Sequence, residues 1–178
     1  MIPPRLRIVA LLARGPGLHV LETVLLRRRE LQLAAVFTHL RRPEGEGRGL
    51  PPEVVAMREL CRAAGAPLVF ADGEEAADLA PLLPNAEVDL LLSIGWRDPV
   101  GAAALARFRL GGVELRPAPP AKGRTGVGAY DMMGEGGAGR PRAEAWTAAV
   151  GEAGPDSLYA ELAGRVLEMA LSAEGAPS

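Results

Sequence analysis

Side chains that could carry out catalysis near neutral pH are scarce in this sequence. Two histidines and one each of asparagine, glutamine, lysine and cysteine are present, namely His19, His39, Asn85, Gln32, Lys122 and Cys61. Neither histidine has a serine or carboxylate at the spacing typical of a catalytic triad or a metal site. Cys61 falls on the apolar stripe of a predicted helix, which favours a role in packing. Any mechanism must therefore draw on few residues, and we predict no metal site.

Composition and charge indicate a folded protein without the electrostatics of a nucleic-acid-binding one. Hydrophobic residues make up 48% of the 178 residues, and 20 basic against 22 acidic side chains give a net charge of −2. A single cysteine allows no intrachain disulfide, and neither a membrane-spanning run nor a signal-peptide pattern is found. We expect a cytoplasmic protein that binds neither nucleic acid nor a membrane, and leave its oligomeric state open.

Hydrophobic periodicity predicts strands that alternate with helices up to residue 115. Apolar runs of the kind buried in parallel sheets recur at 7–13, 33–38, 67–70, 88–94 and 112–115. Helical spacing is found at 18–29, 52–64, 74–83 and 99–108. This alternation predicts a three-layer, Rossmann-like α/β fold with an open, mainly parallel sheet.

The pattern becomes irregular after Arg116. We predict a loop at 117–126 and flexible, glycine-rich loops at 41–50 and 134–142. A last helix, capped by Asp156 or Ser157, precedes a frayed end. The length favours one domain, residues 1–171, followed by a disordered tail at 172–178.

The first predicted strand ends in part of a dinucleotide-binding motif. Gly15 and Gly17 match two of its three glycines, but Val20 takes the place of the third. The second strand leads to His39 and Arg41, where an arginine would suit the 2′-phosphate of NADP. An NADP-linked oxidoreductase is one alternative function; the other interpretation is that the glycines serve the turn alone.

Three segments between Val88 and Arg124 have the order and spacing of a known family. They are Val88-Asp-Leu-Leu-Leu-Ser-Ile-Gly-Trp-Arg-Asp-Pro99, Leu110-Gly-Gly-Val-Glu-Leu-Arg-Pro117 and Lys122-Gly-Arg124. The arrangement resembles the formyltransferase family, which includes methionyl-tRNA, glycinamide ribonucleotide and amino-sugar formyltransferases. The resemblance implies a parallel-sheet catalytic domain, formyl transfer to an amine, and 10-formyltetrahydrofolate as the cofactor.

The resemblance places the family's catalytic Asn-x-His motif at Glu114 and Arg116. An ionised glutamate can only accept hydrogen bonds, and an arginine cannot act as a base. We therefore expect formyl transfer to be lost or strongly altered, and the two side chains to pair with each other. Asp131, Glu144 and Glu152 are candidate substitutes for the family's downstream aspartate.

The same resemblance places the border of the folate pocket at Ile94, Gly95, Trp96, Arg97 and Asp98. Backbone contacts to the pterin are implied there, so changed side chains are compatible with binding. Trp96 would either stack on a flat ring or cover the strand ends. A second hypothesis is a non-catalytic module that binds an anionic small molecule or a partner around Trp96, Arg97 and Arg116.

Overall fold

One sheet organises this computed structural model, which describes residues 6–41, 45, 47–72, 78–119, 126–133, 139–146 and 154–174. Its strands are β1 (Leu6–Leu12), β2 (Leu31–Thr38), β3 (Leu68–Phe70), β4 (Leu90–Ile94), β5 (Gly112–Pro117), β6 (Gly126–Asp131) and β7 (Pro141–Trp146). The helices in these ranges are α1 (Arg14–Thr23), α2 (Pro52–Ala64), α3 (Ala102–Leu105) and α4 (Pro155–Glu174). Short 3-10 turns cover Leu25–Arg27 and Ala80–Leu82.

The strand order is β3-β2-β1-β4-β5-β6-β7. The first five strands along the chain pair in parallel, while β6 and β7 are antiparallel additions at the far edge. The order reverses between β1 and β4, because the chain builds outwards from β1 in one direction and then returns to its other side. The predicted α/β class with an open, mainly parallel sheet is confirmed.

Each face of the sheet carries its own hydrophobic core. On one face Ile8, Ala10 and Leu12 of β1 pack with buried residues of α1, α2 and α4. On the other face Val9 and Leu11 pack under the segments around residues 79–83 and 96–108. Burial on both sides explains why β1 reads as a continuous apolar run rather than an alternating one.

The predicted helix over 99–108 is too long. Only α3, four residues, is helical, since Gly101 still has extended backbone. At the other end the Arg109 N–H already donates to the Val88 carbonyl at 3.3 Å, so the chain has joined the sheet. Of the helix predicted at 74–83, the structure describes residues 78–83. In this part a 3-10 turn at Ala80–Leu82 takes the place of the helix. By contrast, α2 ends at Gly65 as predicted, with a positive φ of 68°.

Two further strands follow the predicted loops, in a part of the chain where the sequence pattern is irregular. β6 begins at the end of the predicted loop 117–126, and β7 starts inside the predicted loop 134–142, of which residues 134–138 lie outside the described residues. Val127 and Ala129 alternate into the core below α4, and pairing with β5 outweighs the low strand propensity of glycine. A Cβ at Gly128 would lie 2.5 Å from the Tyr130 ring, so only glycine lets that ring lie flat across the strand.

The last helix is longer than predicted. α4 continues to Glu174 and so includes residues 172–174, which the sequence predicts to be part of a disordered tail. Residues 175–178 of that predicted tail lie outside the described ranges. Arg165 lies 3.9 Å from Glu161, the i, i+4 spacing of its exposed face. Within the described part of the chain, no helix combines the length and apolar character needed to cross a bilayer.

Asp89 fastens the start of β4 to two other segments. Its carboxylate accepts a hydrogen bond from the backbone N–H of Arg7 at 2.7 Å. It also accepts bonds from the Arg109 guanidinium, from Nε at 3.1 Å and Nη2 at 2.8 Å. One acidic side chain thus joins the first strand, the fourth strand and the entry to β5.

We predict that Asp89→Ala lowers the free energy of unfolding by about 2–3 kcal/mol, because charge-assisted hydrogen bonds are lost and the Arg7 amide is left without a partner. Urea denaturation followed by circular dichroism measures the change. Glu59→Ala is the control, since Glu59 pairs with Arg62 on the exposed surface, and its cost should stay below about 1 kcal/mol. Equal losses for the two variants would contradict the role given to Asp89.

Candidate functional site

The carboxyl ends of the parallel strands enclose a cavity of about 740 Å³ at the reversal of strand order. Open parallel sheets place ligands at such a position. We call it the switch-point cavity; its polar and aromatic lining comprises Arg14, His39, Arg41, Trp96, Arg97, Arg116 and Tyr159. None of the described residues that line it carries a carboxylate. The described lining thus carries four guanidinium groups and no carboxylate.

A second cavity of about 360 Å³ opens on the face of the sheet that carries α3. We call it the sheet-face cavity; its polar lining comprises Ser93, Arg97, Asp98, Glu114, Arg116 and Asp131. Arg97 and Arg116 line both cavities, so these two side chains form the boundary between a cationic chamber and one that also holds carboxylates.

Glu114 and Arg116 lie on one face of β5, because Val113 and Leu115 between and beside them enter the core of the opposite face. Arg116 Nη1 lies 3.7 Å from Glu114 Oε2. The Arg116 guanidinium also lies over the Tyr130 ring, 4.4 Å from its centroid, at cation–π distance. The structure thus brings the two residues together as an ion pair.

Burial raises the pKa of Glu114 above its usual value, and the neighbouring Arg116 opposes that rise in part. Of the three candidate downstream acids, Asp131 lines the same cavity and accepts a hydrogen bond from the Arg142 guanidinium. Glu144 contributes backbone to β7, and Glu152 lies outside the described residues. Of these three acids, Asp131 is the one whose described side chain lines the cavity with Glu114.

The turn after β4 uses part of its backbone inside the sheet. The Ile94 carbonyl accepts from the Ala13 N–H at 3.0 Å, and the Gly95 N–H donates to the Leu115 carbonyl at 3.1 Å. Gly95 has φ of 62°, where a side chain would be strained. Of the five residues 94–98, the last three are thus the ones whose backbone these bonds leave available to a ligand.

The Trp96 side chain forms part of the cavity floor. It is only 4% exposed and contacts His39, with ring centroids 5.6 Å apart. This is the arrangement of a cover over the strand ends, with little of either ring face open for stacking. Asp98, at the end of the turn, accepts a hydrogen bond from Arg41 at 2.9 Å and so ties the turn to the segment after β2.

Trp96 Nε1 and His39 Nδ1 are buried at this wall and make no hydrogen bond with a described residue. Burial lowers the pKa of His39, and the attraction of Asp72 opposes the effect, so folding favours the neutral imidazole. Buried polar atoms without partners are uncommon in native proteins. The contact between the two rings therefore leaves two polar atoms that the described residues do not satisfy beside the switch-point cavity.

The remaining candidates have structural explanations. Gly15 and Gly17 lie inside α1 rather than in a loop before it, and a Cβ at Gly17 would approach Leu12 Cβ to 2.8 Å, so this glycine serves close packing. Cys61 is buried, and burial raises the pKa of its thiol to about 11. Among the described residues no cluster of His, Cys, Asp or Glu could hold a metal ion.

We predict that Glu114→Gln stabilises the protein at pH 7. A raised pKa means that folding favours the protonated carboxyl, so the stability from Glu114 is complete below its unfolded pKa of about 4.3 and is lost as the pH rises through the folded value. Glutamine avoids that loss. Denaturation at about pH 7 and about pH 3.5 should show a gain only at the higher pH. Glu161→Gln, on the exposed face of α4, is the control. A gain in stability by Glu114→Gln at both pH values would contradict the electrostatic cause.

Comparisons with known proteins agree on the fold. No protein-family model and no curated protein sequence matches the chain. Glycinamide ribonucleotide transformylase 1 from Geobacillus kaustophilus is similar over 93% of this chain and 98% of its own, with TM-score 0.64 and 15% identity. For the Symbiobacterium toebii enzyme of the same name the values are 96%, 89%, 0.62 and 20%. A formyltetrahydrofolate deformylase from Pseudomonas putida KT2440 is matched over 93% of this chain and 64% of its own, with TM-score 0.61 and 13% identity. The chain therefore has the fold of the formyltransferases, as the residues between Val88 and Arg124 imply.

Proposed function

We propose that this formyltransferase-fold protein binds a small anionic molecule in the switch-point cavity and does not carry out ordinary formyl transfer. The observation that carries the proposal is the ion pair of Glu114 and Arg116, 3.7 Å apart, at the two positions where the resemblance places an amide and an imidazole. An ionised carboxylate only accepts hydrogen bonds, and a guanidinium group only donates them. Neither residue can therefore take over the role that the resemblance gives to its position.

The replaced pair is poorly suited to the family's reaction. Transfer of a formyl group to an amine requires a donor aimed at the developing oxyanion and a group that accepts the amine's proton. Ionised Glu114 would repel the oxyanion, and the guanidinium group of Arg116 can donate hydrogen bonds but cannot accept the amine's proton. His39, the imidazole nearest to these strand ends, packs against Trp96 on the wall of the other cavity.

The charge around the switch-point cavity favours an anion. Arg14 lies 3.7 Å from Glu53, and Arg41 is held by Asp98 at 2.9 Å, so both guanidinium groups are positioned by carboxylates outside the cavity lining. Arg97 has no carboxylate partner among the described residues, which leaves its charge for a ligand. Guanidinium groups suit phosphate and carboxylate because they donate two parallel hydrogen bonds.

Folate is the second ligand that the proposal includes. The resemblance places the turn at 94–98 beside the pterin, and the similar solved structures are named as transformylases and a formyltetrahydrofolate deformylase. The 96–98 backbone is not used by the sheet bonds that hold Ile94 and Gly95. Binding of 10-formyltetrahydrofolate without turnover is therefore compatible with the loss of the catalytic pair.

We expect no formyl transfer when the purified protein is incubated with 10-formyltetrahydrofolate and either glycinamide ribonucleotide or amino sugars. Mass spectrometry of the formylated amine is the measurement, and the Geobacillus kaustophilus transformylase is the positive control for glycinamide ribonucleotide. Formation of the formylated amine would contradict the proposal. Its loss in the Arg116→Ala variant would show that Arg116 takes part in the transfer.

We expect pyrophosphate to bind, and Arg97→Ala to weaken its binding by about five- to tenfold, since one charge-assisted contact is lost. Isothermal titration calorimetry at low salt measures the dissociation constant. Arg62→Ala is the matched control, because the Arg62 side chain on α2 is 79% exposed and remote from the cavity lining. Equal affinity in wild type and Arg97→Ala, or no binding at all, would argue against an anion site here.

A further inference from the structure

Ser93 is a buried hydroxyl that the fold leaves without a partner. The residue is 1% exposed, and its Oγ makes no hydrogen bond with any described residue. Thr38, a second fully buried hydroxyl among the described residues, donates to the Leu12 carbonyl at 2.9 Å. A buried hydroxyl that makes no hydrogen bond has lost its bonds to water without replacement, which destabilises the folded protein. Ser93 therefore invites an explanation that Thr38 does not.

The hydroxyl lies on the floor of the sheet-face cavity beside Glu114. Ser93 and Glu114 are register partners on the parallel strands β4 and β5, and both line this cavity. Their side chains point to the same face because Leu92 and Ile94 enter the opposite core. A donor and an acceptor thus stand next to each other at the bottom of an open, polar cavity.

The neighbouring charges narrow the kind of group that fits. An ammonium group would meet the guanidinium charges of Arg97 and Arg116, and Arg116 already offsets the charge of Glu114. A purely apolar group would leave Ser93 Oγ without a hydrogen-bond partner. A hydroxyl both donates and accepts, so it can bond to the Glu114 carboxyl and to Ser93 Oγ without adding charge. Val100 and Met132 offer apolar walls for the carbon chain that carries it.

We propose that the sheet-face cavity binds a hydroxyl-bearing part of the anionic ligand, and that Ser93 and Glu114 recognise its hydroxyl groups. The inference rests on the proposed function, because the anionic group would occupy the adjoining switch-point cavity. Arg97 and Arg116 line both chambers, so a ligand that crosses this boundary keeps its anion within reach of the same guanidinium groups. The ligand class is a phosphorylated or carboxylated polyol.

The test compares two probes of equal chain length, sorbitol 6-phosphate and n-hexyl phosphate, by isothermal titration calorimetry. Ser93→Ala should weaken the binding of sorbitol 6-phosphate by about five- to tenfold. It should change the affinity for n-hexyl phosphate by less than about twofold. Thr38→Val is the matched control, since it also removes a buried hydroxyl, and it should leave the ratio of the two affinities unchanged.

The outcomes separate this inference from the proposed function. If wild type binds both phosphates and Ser93→Ala changes neither, or weakens both equally, the recognition of hydroxyl groups is wrong while the anion site stands. If wild type binds pyrophosphate but neither of these two phosphates, the polyol subsite is wrong while the anion site stands. If it binds none of the three, the proposed function fails and the polyol subsite fails with it.

A thermal melt of the free protein separates recognition from a structural role. Ser93→Ala should melt at or above the wild-type temperature, because it removes a hydroxyl that has no bond in the described structure. Thr38→Val should melt lower, because it leaves the Leu12 carbonyl without its donor. Destabilisation by Ser93→Ala as large as that by Thr38→Val would assign Ser93 to structure and overturn the proposal.

Discussion

β1 and β4 lie side by side in the sheet, yet the chain leaves them towards opposite faces. After β1 it enters α1, which packs with α2 and α4, and after β4 it enters the segment that leads to α3 on the other side. Neither connection can cross the gap between the two strand ends. The crevice that results is the physical constraint on which the candidate site depends, because it gathers the ends of four parallel strands around one space.

Two ion pairs order cationic side chains that line that space. Glu53 lies 3.7 Å from Arg14 and Asp98 lies 2.9 Å from Arg41, and neither carboxylate belongs to the cavity lining. The turn after β4 and the segment after β2 are also joined by packing, since the Trp96 ring contacts the His39 ring. For the anion binding proposed above, side chains that are already ordered lower the entropy cost, because they do not have to be fixed in place when the anion binds.

The second boundary of the site comes from the edge of the sheet. β6 brings Tyr130 beside Glu114 in register, and the Tyr130 ring lies against Gly128 and under the Arg116 guanidinium. Arg116 therefore has two anchors, a carboxylate and an aromatic face. Glu114 and Arg116 are thus integrated into the packing of the added strands.

The sequence by itself determined the fold class, the buried central strand, the end of α2 at Gly65 and the scarcity of catalytic side chains, because these depend on local periodicity and residue type. Its resemblance between Val88 and Arg124 also singled out Glu114 and Arg116, which the structure places 3.7 Å apart. β6 and β7 could not be predicted in the same way, since their glycines weaken local propensity and only pairing with β5 makes the strands. The environment of Ser93 was equally hidden within an apolar run. Only the tertiary structure decided that its hydroxyl is buried beside Glu114 and makes no hydrogen bond with a described residue, because that environment is made by strands and segments distant in the chain.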